Sequence, residues 1–72
     1  MQTLRELRKR KYEKQADFAI AMRTSKSTVC EWESGKREPT IRQMIEIARL
    51  LDVSRYEIFD IIAENKNDYH KG

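Results

Sequence analysis

Three residues, Arg23-Thr24-Ser25, separate two stretches that each read as a short helix, and this link limits the fold more than any other feature. The upstream stretch, Gln15 to Met22, puts Phe18, Ala19 and Met22 on one face and turns Ile20 away from it. The downstream stretch opens at Ser25, a residue suited to cap a helix, and is stopped by Gly35 and then Pro39. Two short helices joined by so few residues cannot lie side by side. They must cross steeply, in helix-turn-helix geometry.

On a helical projection of about 100° per residue, Val29, Trp32, Glu33 and the edge residue Thr28 fall on one side of the downstream helix. Lys26, Ser27, Cys30, Glu31 and Ser34 fall on the other. The second face is short, polar and mixed in charge, a surface suited to contact rather than to simple hydration. Trp32 belongs with the apolar side and is expected in the core.

Local signals frame the remaining elements. Thr3-Leu4-Arg5-Glu6 is a capping box and predicts a first helix from Leu4 to Lys11, with Leu4 and Leu7 as its narrow apolar stripe and Arg5, Arg8, Lys9, Arg10 and Lys11 around it. Tyr12-Glu13-Lys14 contains no glycine or proline, and Lys14 stands where a capping side chain would normally start the second helix. Thr40-Ile41-Arg42-Gln43 is a second capping box. It opens a fourth helix to Leu51 that carries Ile41, Met44, Ile45, Ile47, Ala48 and Leu51 on a broad apolar face. Ser54-Arg55-Tyr56-Glu57 starts a fifth helix that is expected to fade near Glu64. The reading is all-α: a domain over residues 1–64 built of five short helices, followed by a polar, frayed tail over 65–72.

Charge is unevenly spread. Residues 1–37 hold ten Lys/Arg against five Asp/Glu, whereas residues 38–72 hold five against seven. The basic half contains the second and third helices, so an anionic partner is expected there. A single cysteine excludes an internal disulfide and suits a reducing, cytoplasmic setting. No apolar run approaches the roughly 18 residues of a membrane span, so no membrane partner is expected. No nucleophile–base pair, metal-spaced cluster or glycine-rich phosphate loop stands out, and His70, the only histidine, lies in the tail. The expectation is therefore no enzyme, no cofactor, no metal and no small-molecule substrate.

With the link and the third helix placed, the chain resembles the lambda-repressor-like, Cro-type helix-turn-helix family, also called xenobiotic-response-element regulators. The resemblance runs without a gap from Leu4 to about Phe59. It rests on Leu4-Arg5-Glu6-Leu7-Arg8, Gln15 with Phe18-Ala19, Ser25, Ser27-Thr28-Val29, Trp32-Glu33-Ser34-Gly35-Lys36, Pro39, Ile47-Ala48, Leu51, Val53-Ser54 and Glu57. The chain departs from the family pattern at Tyr12 and Glu13, at Lys14, and at Arg23, where family members often have glycine.

The resemblance implies a compact five-helix domain that binds specific double-stranded DNA, with the third helix in the major groove. In that arrangement Lys26 would donate to guanine O6 and N7 or to a phosphate, and Ser27 would donate or accept. Glu31 would accept from cytosine N4. Thr28 would touch a phosphate or a thymine methyl, and Cys30 a thymine methyl. Gln15, Ser34, Lys36 and Arg37, with Arg10 from the basic first helix, are the candidate phosphate contacts. Arg8 and Glu33 resemble the family's paired arginine and glutamate, which fits the need for a partner to a carboxylate on an inward arc.

Helix five bears on assembly. Ile58, Phe59, Ile61 and Ile62 spread widely around it, and Leu50 projects from the polar side of the fourth helix; together they are read as a homodimer interface. The expected function is a transcriptional regulator, a repressor, acting as a homodimer on a pseudo-palindromic operator. The alternative is an antitoxin-like module whose main partner is a toxin-like protein and which also regulates its own operon.

Overall fold

The computed structural model describes the backbone of residues 2–71 and the side chains of residues 2–65. Five helices follow one another: α1 Leu4–Lys11, α2 Gln15–Met22, α3 Lys26–Ser34, α4 Ile41–Leu51 and α5 Arg55–Lys71. No strand occurs among the described residues.

Local hydrogen bonding explains where most helices begin. At α1 and α4 the capping boxes are closed in both directions: the Thr3 and Thr40 hydroxyls accept from the Glu6 and Gln43 amides at 3.1 Å. In return the Glu6 and Gln43 side chains accept from the Thr3 and Thr40 amides at 2.8 Å. At α3 the Ser25 hydroxyl accepts from the Thr28 amide at 3.1 Å. At α5 the Ser54 hydroxyl accepts from the Tyr56 amide at 3.1 Å. The start of α2 has no such help, because Lys14 makes no side-chain capping bond.

The α1–α2 turn closes without glycine or proline because Arg8 holds it. Its Nη1 donates to the carbonyls of Tyr12 at 2.9 Å and Glu13 at 2.6 Å. Tyr12 leaves α1 in an extended conformation, and its ring packs on Phe18 with centroids 5.3 Å apart. The α2–α3 link occupies the expected place. Arg23 takes φ 59 and ψ 45, the left-handed conformation that glycine ordinarily supplies. The backbone turn is thus the one a glycine would make, reached here by an L-residue at a cost of about 1–2 kcal/mol.

All five helices contribute to one core. Leu4 and Leu7, Phe18 and Ala19, Val29 and Trp32, Met44, Ile47, Ala48 and Leu51, and finally Ile58, Ile61 and Ile62 pack together. Trp32 is 1% exposed, as its place on the apolar side of α3 requires, although its Nε1 finds no acceptor among the described residues. Ile20 is 74% exposed, as its position off the α2 stripe predicts.

The structure changes three expectations. Ile41, assigned to the apolar face of the fourth helix, is 66% exposed, because the core begins one turn later at Met44. Ile58, Ile61 and Ile62, assigned to a homodimer interface, are buried against their own domain. Their wide spread around α5 reflects a helix that packs against α1, α3 and α4 together. Finally, α5 does not fade near Glu64 but runs to Lys71. No glycine or proline stands between Arg55 and Lys71, and Asn65 reaches across to donate from Nδ2 to the Trp32 carbonyl at 3.4 Å. The side chain of His70 lies outside the described residues.

Candidate nucleic-acid interface

Helix α3 has two edges with different tasks. Val29 and Trp32 are buried along the inner edge, and Lys26, Ser27, Cys30 and Ser34 are exposed along the outer one, with Glu31 half-buried beside them. This is the division the helical projection predicts. Lys26, Ser27, Cys30 and Glu31 line a surface groove together with Gln15 from the start of α2. Side chains from both members of the helix pair thus meet on one face.

A polar network under that face holds α3 in register with α1 and α2. Arg8 Nε donates to Glu33 Oε2 at 2.7 Å, and Gln15 Nε2 donates to Glu33 Oε1 at 2.9 Å. The Arg8 and Glu33 side chains are 3% and 5% exposed, so the charges meet in a low-dielectric setting and satisfy one another. The pairing expected of Arg8 and Glu33 is present. Gln15 was expected as a phosphate contact; its side-chain amide is engaged with Glu33, on the rim of the groove. No spacing rule could have matched residues 8, 15 and 33, since only the packing of three helices brings them together.

The C-terminal end of α3 is also tied down. Gly35 takes φ 84, and the loop after it folds back so that the Arg37 amide donates to the Glu31 carbonyl at 3.2 Å. The Ser34 hydroxyl donates to the same carbonyl at 3.2 Å. Arg37 Nε lies 2.9 Å from Glu31 Oε1, an ion pair six positions apart that sequence reasoning did not anticipate. Lys36 is exposed beside it. At the other end, Thr28 is half-buried and its hydroxyl pairs with that of Ser25 at 3.0 Å. Arg10 is not gathered with these residues; it lines a different hollow with Lys11, Leu51, Asp52 and Val53, at the α4–α5 turn.

Of the candidate assembly residues, Leu50 and Phe59 are the ones that keep partial exposure. Leu50 and Phe59 are half-buried at the edge of the core. Tyr56, overlooked in the sequence, is 70% exposed and meets Phe59 edge-on with centroids 5.9 Å apart. Among the described residues no group of His, Cys, Asp and Glu is placed to hold a metal ion, and no helix is long and apolar enough to cross a membrane.

A short helix with a polar outer edge, an anchored inner edge and a tight turn to the helix before it defines a DNA-binding helix-turn-helix domain. The chain belongs to the helix-turn-helix family, in its lambda-repressor-like, Cro-type branch: the family's sequence profile matches residues 4–58, from the first residue of α1 into α5. The family is one of DNA-binding regulators. No curated protein and no solved structure matches the chain closely enough to add to this.

Proposed function

We infer that this regulator reads the major groove of duplex DNA with α3 and acts as a repressor, as a homodimer on a pseudo-palindromic operator. The observation that carries the reading is the outer edge of α3: Lys26, Ser27, Cys30 and Glu31 share one groove rim, on a helix locked from behind by Arg8, Glu33 and Gln15. A reading helix needs polar side chains on its outer edge and support from behind, and these residues support that reading. Lys26, Ser27 and Glu31 supply donors and acceptors for base edges, with Thr28 and Cys30 at the margins. Ser34, Lys36 and Arg37 approach the phosphates, joined by the N-terminal amides of α2 at Gln15. Occupying an operator is enough to exclude other proteins from it, and this simplest output is the basis for proposing repression.

The homodimer surface is proposed to centre on the exposed Tyr56 and the Phe59 ring it meets edge-on, with Leu50 as a further half-buried candidate. That same surface supports a second reading, an antitoxin-like module that covers a protein partner and also binds its own operator. Selection of bound sites from random duplex DNA, followed by titration in rising salt, tests the first reading. A two-fold site and a linear fall of log affinity with log salt, about 0.9 per phosphate neutralised, are expected. Binding that ignores salt, or that selects no site, overturns it. A chain that selects no symmetric site, is monomeric alone and forms a stoichiometric complex with one co-expressed protein favours the second.

A further inference from the structure

A carboxylate carried into a DNA groove meets the negative field of two phosphate strands, and without a cation beside it that field opposes docking. Glu31 is such a carboxylate, on the outer edge of α3. Arg37 supplies the cation, with Nε 2.9 Å from Glu31 Oε1. The main chain repeats the tie, since the Arg37 amide donates to the Glu31 carbonyl, which also accepts from the Ser34 hydroxyl. The loop after α3 is therefore folded onto the residue that carries the acidic reading group. The Arg37 side chain nevertheless remains 60% exposed. A guanidinium has five N–H donors in a planar fork, enough to hold a carboxylate and a phosphate oxygen at once.

We propose that Arg37 is a specificity-determining positioning residue: it orients the Glu31 carboxylate and offsets its charge, so that Glu31 accepts a hydrogen bond from cytosine N4 while the free part of the guanidinium meets a neighbouring phosphate. This rests on the reading of α3 as the major-groove helix. A residue that touches only phosphate changes affinity for all sequences alike. Arg37, acting through Glu31, changes which base is preferred. The pair is exposed and weak in the free protein, and its effect belongs to the complex, where a carboxylate already oriented and neutralised loses less freedom on docking.

Site selection from random duplex DNA, run in parallel on the wild-type chain, Arg37→Ala, Arg37→Lys, Glu31→Ala and the double alanine variant, tests this. The wild type enriches a site with cytosine favoured opposite Glu31. Arg37→Ala reduces that preference roughly five- to a hundredfold, as does Glu31→Ala. The double variant loses no more preference than either single one, because the two side chains act as a unit. Arg37→Lys keeps most of the affinity but loses part of the base preference, since a point charge orients a carboxylate less well than a fork. Matched thermal melts verify that each variant is folded. If Arg37→Ala weakens every sequence equally and leaves the cytosine preference intact, Arg37 is a phosphate contact only and the proposal is overturned. If the wild type enriches no site, the reading of α3 itself fails, and the proposal with it.

Discussion

The Arg8 guanidinium joins three parts of the chain. It pairs with Glu33 of α3, and it donates to the carbonyls of Tyr12 and Glu13 in a turn that has no glycine. Removing its carboxylate strands a buried cation, so Glu33→Ala is expected to cost about 3–5 kcal/mol. Urea denaturation measures this, and a loss under about 1 kcal/mol would show that Arg8 finds water or another partner instead. A second residue-scale expectation concerns pH. The Thr3 amide, and after it the Thr3 hydroxyl, hold the Glu6 carboxyl below its ordinary value of 4.5. A carboxyl whose folded pKa is depressed adds stability above its unfolded pKa and loses it as pH falls through the folded value. Melting temperature should therefore drop on acidification below about pH 4.5 more in the wild type than in Glu6→Gln. Equal drops in the two proteins count against the capping box as a source of acid sensitivity.

Among the elements, α2 is held least well by its own residues. Lys14 leaves its first turn without a side-chain cap, and Arg23 ends it in the left-handed region at φ 59. Asp52 ends α4 in the same conformation, but aspartate tolerates it better than arginine. Lys14→Ser is expected to stabilise the domain by about 1 kcal/mol, and Arg23→Gly by about 0.5–1 kcal/mol after allowing for the flexibility of glycine when unfolded. The two sit at opposite ends of α2 and should add in chemical denaturation. Hydrogen exchange in the wild type should show the amides of α2 opening before those of α4, whose capping box is closed in both directions. For function, α2 is the element that seats Gln15 at the groove, so its local stability bears directly on how steadily the α3 edge is presented.

For the molecule as a whole, α5 carries both core residues and the surface proposed for assembly. Ile58 is fully buried, and Ile58→Ala is expected to cost about 2–5 kcal/mol, a large share of the stability of a domain this small. Tyr56 is 70% exposed. Tyr56→Ala should leave the melting temperature nearly unchanged while lowering self-association in sedimentation, if the proposed homodimer is centred there. Unchanged association would move the interface elsewhere. Charge is divided on the same scale: the basic N-terminal half carries α1 to α3, and the acidic half carries α4 and α5. The surface proposed for DNA and the surface proposed for assembly therefore lie on halves of opposite sign.

The starts of α1, α3, α4 and α5 were determined by the sequence alone, because Thr3, Ser25, Thr40 and Ser54 each bond amides two or three positions ahead, and such bonds are formed within one turn. The two edges of α3 were determined in the same way, by helical periodicity. Tertiary structure decided everything that depends on where distant turns meet. It turned Ile58, Ile61 and Ile62 inward, since three other helices converge on α5. It set Asn65 against the Trp32 carbonyl, across the core from α5 to α3. It drew Gln15 to Glu33 and separated Arg10 from the α3 groove. The Arg37–Glu31 pair lies between these cases: its partners are near in sequence, but only the reversal at Gly35 brings guanidinium and carboxylate together. A capping bond needs one turn of chain, whereas a pairing across helices needs the whole core in place.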